Sequence, residues 1–212
     1  NSRPNLAFTL WFFSNTTCGH NGVGEGERTI GSTTVTTDRD GNASFAVGLA
    51  SSVPSGPFIT GIAAEANGNT SEFSAAIQAL NVFTVNNIGD EPDVNPGDGV
   101  ALTSLGTTTL RAAIEQANAS AGMDVIAFNI AGAGVHTITP LIALPTITDA
   151  VIIDGYTQSG ASANTLVIGN NAVLQIELDG SNITGNSGLF ITAGNSTVRG
   201  LRIDRFEGNG IT

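Results

Sequence analysis

Residues 109–119 read TLRAAIEQANA and stand between two β-rich regions of different rhythm. Leu110, Ile114 and Ala117 recur at i, i+4 and i+7, the spacing of one apolar helical face. Thr107, Thr108 and Thr109 are N-cap candidates, and Gly122 is a natural C-terminal stop. No other stretch of the 212 residues reads convincingly as a helix. A lone amphipathic helix in a β chain covers something, and an open sheet end is the natural partner. The sequence therefore predicts that Leu110, Ile114 and Ala117 close the end of a stack of strands.

The composition supports a packed, acidic β protein. Net charge is −11, and the seven basic residues are all arginine. Such a chain repels phosphate backbones, which argues against nucleic acid as a partner. Charged residues make up only 12% of the chain, too few for an acidic disordered tail, while 41% apolar content suffices for a core. No run of about 18 apolar residues occurs, so no membrane span is expected. The chain opens on Asn1 with neither a start methionine nor a leader, and reads as an excerpt or a processed form. Cys18 is alone, which leaves no internal disulfide framework, and burial is its simplest state.

Working outward from the helix, residues 1–80 carry period-two patterning. Leu6, Phe8, Leu10 and Phe12 alternate with Ala7, Thr9, Trp11 and Phe13. Ala43, Phe45, Val47 and Leu49 repeat the pattern after the turn sequence DRDGN at 38–42. Residues 58–65 and 71–77 suggest another strand pair around Asn67-Gly68. An antiparallel sandwich is the expected fold of this region. Residues 81–212 change register. Short apolar clusters at 151–153, 174–178, 189–191, 198–203 and Ile211 are separated by Gly, Asn and Asp. Their spacing fits a coil that makes one rung in about 20 residues. The expected architecture is all-β, with the sandwich followed by the start of a short parallel β-helix capped by one amphipathic α-helix.

Several blocks of the second region, taken in order, resemble bacterial right-handed parallel β-helix surface proteins with a CSLREA-type domain. They are FTVNNIGDEPDVNPGDG (83–99), TLRAAIEQANA, DVIAFNI (124–130), VHTI (135–138) and VIIDGYTQ (151–158). The resemblance covers residues 83 to about 158. Members often carry two cysteines where this chain has Ala101 and Thr108, so a disulfide there is not available. The first region, through FFSNTTC, GEGERTIGSTTVTTD, GNASF and GNTSEFS, resembles the immunoglobulin-like module found beside β-helices in the same proteins. Sequences of that type often have a second cysteine where Ala76 stands. The resemblance implies a right-handed coil and a sandwich of immunoglobulin type. It also implies an extracellular or cell-surface location.

Candidate chemistry is sparse. Asp90, Asp93 and Asp98, with Glu91 beside them, put carboxylates in a Gly/Pro loop. Ordinary turn formation is their first role, and coordination of calcium by hard oxygen ligands is the second. No other cofactor is expected. Asp38, Asp40 and Asn42 carry the same ambiguity, and hairpin geometry explains them without an ion. Polysaccharide hydrolysis on a β-helix needs grouped aspartates, a histidine and a basic clamp. Asp154, Glu177, Asp179 and Asp204 lie on candidate rungs with Arg199, Arg202 and Arg205. His20 and His136 lie outside that region, and the arginines alternate with Val198, Leu201 and Ile203 as a solvated face. His136, in GVHTIT, is expected to make a local hydrogen bond. GVGEGE (22–27) lacks the lysine of a phosphate loop and reads as a hairpin loop. Sequons occur at Asn15, Asn42, Asn69, Asn118, Asn182 and Asn195.

The functional expectation is therefore a non-enzymatic extracellular structural or surface-array protein built of tandem β modules. Its partners would be copies of itself or adjoining modules of the same polypeptide. Leu6, Phe8, Leu10 and Phe12 at one end and Ile211 at the other are the expected assembly edges, through which strand addition would build a head-to-tail filament. A glycan-binding adhesin is the alternative, and a polysaccharide-degrading enzyme comes third.

Overall fold

The computed structural model describes residues 2–18, 22, 26–45, 47 and 58–212. The fold is mostly β, with a single α-helix among these residues. Contacts divide the chain into two units, Asn1–Ala79 and Leu80–Thr212.

The first unit holds a four-stranded antiparallel sheet, ordered β2-β1-β3-β4. Its strands are β1 (Ala7–Asn15), β2 (Arg28–Thr36), β3 (Phe58–Glu65) and β4 (Ile77–Gln78). Leu10 pairs with Thr33 on one side and with Ala63 on the other, and a register shift falls between Phe12 and Phe13. This corrects the expectation of an open edge at Leu6, Phe8, Leu10 and Phe12. Strand β1 is central, Phe8 is paired with both Val35 and Glu65, and Leu6 exchanges bonds with Thr37. Its freedom from charge reflects an interior position, since charge blocks edges rather than middles.

Two other strand expectations fail locally. Asp38 Oδ1 accepts from the N–H groups of Asp40 and Asn42, and Gly41 takes φ +80° as the turn requires. Beyond it, residues 43–45 and 47 are irregular, and Leu49 lies outside the described residues. Phe45 instead lays its ring 5.9 Å from that of Phe12. Over residues 71–77 the serine hydroxyls replace carbonyls as acceptors. Ser71 Oγ accepts from Ala63 N, and Ser74 Oγ from Gly61 N, which leaves Ile77–Gln78 as the only strand there.

The second unit stacks parallel strands. The first sheet comprises β5 (Val82–Val85), β6 (Asp124–Phe128), β8 (Val151–Asp154) and β10 (Thr197–Arg199), ordered β10-β8-β6-β5. The second comprises β7 (His136–Ile138), β9 (Ile176–Asp179) and β11 (Leu201–Asp204), ordered β11-β9-β7. Parallel bridges Ile147–Ile191 and Leu189–Ile211 form a third row. Neighbouring parallel strands are separated by more residues, and less regularly, than the expected spacing of about 20. Register partners Thr137 and Glu177 are 40 residues apart, and Asp154 and Arg199 are 45 apart. The extra length lies in segments that leave the stack, at 86–123 and 158–175, without disturbing the alignment.

The helix α1 (Leu110–Ala119) begins where its cap predicts: Thr109 Oγ1 accepts from Ala112 N at 3.1 Å. Leu110, Ile114 and Ala117 are buried in one cluster with Phe83, Val85, Ile126 and Phe128 of β5 and β6. That cluster continues through Ile153, Ile176 and Leu178 to Leu189. Burying Leu110 and Ile114 contributes roughly 1.5–3 kcal/mol each. At the corner after β8, a Cβ on Gly155 would collide with the carbonyl of Gly200, so only glycine lets the two rungs approach there.

Candidate functional site

The densest chemistry sits where the strand ends of neighbouring rungs align. Asp154 closes β8, and its Oδ1 accepts from Tyr156 N to start the 3-10 turn Gly155–Thr157. Its Oδ2 receives Arg199 Nη2 at 2.6 Å, from the register partner on β10. On β9, Ile176 and Leu178 point into the core, which turns Glu177 and Asp179 outward. Glu177 Oε2 accepts from Thr137 Oγ1 of the preceding rung at 2.7 Å. Its Oε1 faces Arg205 Nη2 at 3.1 Å and Arg202 Nη1 at 3.5 Å. Asp179 Oδ1 accepts from Ser181 N and from Arg205 Nε, the latter at 2.7 Å. Arg202 also holds Asp204 at 2.6 Å.

The electrostatics follow from this geometry. Burial pushes Asp179 upward, but the Ser181 and Arg205 hydrogen bonds outweigh it and hold the carboxyl below its ordinary value. Arg199 and Arg205 are pushed up by their hydrogen bonds to Asp154 and Asp179. The acids are nearly covered while the three arginines remain about half exposed. The arginines do form an outward face, yet each is committed to a carboxylate beneath it. Glycoside hydrolysis by paired carboxyl groups needs one protonated acid and one carboxylate acting as base or nucleophile. Here the carboxylates are paired to guanidinium groups, and the pairs tie neighbouring parallel strands together.

Asp90, Asp93 and Asp98 each take a separate hydrogen-bonding role. Asp90 is buried against Arg111, with Nε–Oδ1 and Nη2–Oδ2 both at 2.9 Å. Its Oδ2 also accepts from Leu141 N, and Arg111 donates onward to the carbonyls of Ile142 and Ala143. Asp93 Oδ1 accepts from Asn95 N, while Asp98 bonds Val100 N and the Asn95 amide. These are turn roles. Among the described residues no group of three or more His, Cys, Asp or Glu is placed to hold a metal ion.

Other positions sort themselves by environment. His136 donates its backbone N–H to Gln175 O, but its Nε2 is buried without a partner, so that atom makes no local bond. His20 lies outside the described residues, as do most of residues 22–27. Cys18 is free and half-buried rather than buried. Asn15 is buried on Thr60, and the half-buried Asn118 donates its amide to Thr146 O. Ile211 is 45% exposed on the last bridge.

Two groups escaped the sequence reading. Arg111 occupies the buried helical face beside Leu110, a position the spacing of apolar residues passes over. Asp124 is closed off at the head of β6; its Oδ1 accepts from Asn81 Nδ2, and its Oδ2 has no partner. Burial, opposed by the Asn81 bonds and helped by Asp149, raises its pKa to about 6. The only sequence signal was an acid set directly before the apolar run VIAF. No family model matches the chain, and no curated protein or solved structure matches it either.

Proposed function

We propose that this chain is part of an extracellular structural or surface-array protein. In this reading an immunoglobulin-like module precedes the first turns of a right-handed parallel β-helix, and the partners are further copies or adjoining modules. One observation carries it: the acids of one rung are paired to the arginines of the next, Asp154 to Arg199 and Glu177 to Arg202 and Arg205. Side chains spent on holding neighbouring rungs in register serve a scaffold rather than a reaction. In-register parallel pairing across two sheets, together with the helix packed on β5 and β6, supports the β-helix part. The glycan-binding alternative rests on Trp11, which is 41% exposed in the central strand and offers a face on which a sugar could stack.

The test is a pair of assays on the chain. Turnover of uronate polymers and binding to a glycan panel should both be negative. Hydrolysis or lysis that Glu177→Gln abolishes would overturn the structural reading in favour of an enzyme. Glycan binding lost in Trp11→Ala would overturn it in favour of an adhesin.

A further inference from the structure

Between β8 and β9 the chain leaves the stack and returns. Ser162 and Val173 exchange backbone hydrogen bonds at 3.0 and 2.8 Å, which pins the base of this excursion. Above it, two asparagines lock the loop. Asn164 Oδ1 accepts from the N–H groups of Leu166 and Asn171, and its amide donates to the carbonyls of Leu166 and Gly169. Asn171 Oδ1 accepts from Thr165 N, and its amide donates to Thr165 Oγ1. The residues this clasp holds out are Leu166, Val167 and Ile168. Val167 is 101% exposed and Ile168 91%. Three adjacent branched aliphatic side chains, fixed in place and surrendered to water, form a knob. A loop that only had to connect two strands would gain solubility from polar residues here.

The same chain carries a socket. Phe12 on β1 faces Gly31 on one neighbouring strand and Gly61 on the other, so no Cβ fills the space beside its ring. The result is an open apolar cavity of about 410 Å³, walled by Leu10, Phe12, Phe45, Ile59 and Ile77. Ile77 is 69% exposed at its rim. Both places are also poor in charge. No Asp, Glu, Arg, Lys or His occurs between Asp154 and Glu177, and Glu72 is the one ionisable residue among the described residues of the cavity wall. On a chain of net charge −11, two copies meet with least repulsion where both surfaces are uncharged.

We propose that the Leu166–Val167–Ile168 knob of one copy docks in the Phe12 socket of a second copy. The contact deepens the surface-array reading, on which it rests, by naming how copies join. Knob and socket are different surfaces, so the contact is heterologous and each bound copy still offers one of each. Assembly is then head-to-tail, into a filament or, where the rotation closes, a ring, with no need of an open edge on β1. The contact is small, and its affinity is correspondingly weak.

Sedimentation of the full chain against concentration tests this. The average mass should rise with concentration, and rise further in high salt as the −11 charge is screened. The double variant Val167→Asp/Ile168→Asp and the single variant Ile77→Asp should each weaken association roughly tenfold or more. All three positions are exposed, so circular dichroism should be unchanged. Mixing the two variants should restore one intact contact and yield a 1:1 complex that grows no further. A parent chain that stays monomeric, a knob variant that assembles like the parent, or a mixture without the complex overturns the proposal. Binding to phosphatidylcholine vesicles that the knob variant loses, without self-association, overturns it in favour of a lipid surface. These outcomes are read in mass and vesicle binding, whereas the structural reading fails on turnover or glycan binding.

Discussion

Replacing Asp124 with Asn should stabilise the Leu80–Thr212 unit at neutral pH and do nothing in acid. The carboxyl is raised from 3.8 to about 6, with burial the largest cause. Above pH 6 it is ionised in folded and unfolded chains alike, and the fold bears the whole penalty. Below 3.8 it is neutral in both, and the penalty vanishes. Stability contributed through this group therefore falls as pH rises between those values. At ~1.4 kcal/mol per pH unit the full penalty is about 3 kcal/mol. Relaxation and solvent screening around a buried carboxylate reduce this to ~1–2 kcal/mol. For a unit of this size that is roughly 3–8 °C in melting temperature. Asp179 runs the opposite way: its depressed pKa adds stability at neutral pH that is lost as pH falls through the folded value. Comparing Asp124→Asn with the parent at each pH cancels that background. Thermal melts at pH 7.5 and pH 3.5 make the measurement. A variant that melts no higher than the parent at pH 7.5, or gains equally at both, refutes the reasoning.

Three further substitutions probe the packing. Ile114→Asp puts a carboxyl into the helix–sheet cluster and should cost ~4 kcal/mol or more, with the Leu80–Thr212 transition lost and β1–β3 still folded by hydrogen exchange. An unchanged melting profile would remove the helix from its capping role. Asp90→Ala leaves the buried Arg111 charge unpaired and should cost about 3–5 kcal/mol in urea unfolding. Gly155→Ala drives a methyl into the Gly200 carbonyl and should cost about 1–3 kcal/mol, read as a lower urea midpoint at unchanged slope.

What the sequence revealed and what it hid divide along the range of the interactions. The helix was legible because its cap, period and stop lie within fourteen residues of one another, from Thr109 to Gly122. The strand at Leu6–Phe13 was equally legible as a strand, but alternation reads the same in a middle position as at an edge. Pairing with β2 and β3 is a tertiary fact. At 71–77 the β pattern was present and lost to serine hydroxyls, a competition that propensity does not weigh. The arginines of the last rung read as solvated because their acids lie dozens of residues away, and meet them only once the rungs align. Nearness in sequence to Asp93 and Asp98 hid the partner of Asp90 for the same reason: it is Arg111, twenty-one residues on.

The parallel stacking of β5, β6, β8 and β10 gives the second unit a direction of mechanical weakness. Hydrogen bonds in a parallel sheet run across the strands, so here they lie along the axis on which rungs pile up. Tension applied between Val82 and Thr212 would load one row of bonds at a time and peel the parallel strands apart in turn. β1 pulled along its own length, by contrast, must shear its ladders to β2 and β3 together. The 45 residues between Asp154 and Arg199 amount to about 150 Å of extended chain, freed once β9 has also left β7. Under steady pull the unit should therefore lengthen in separate low-force steps, absorbing extension while the antiparallel sheet stays folded.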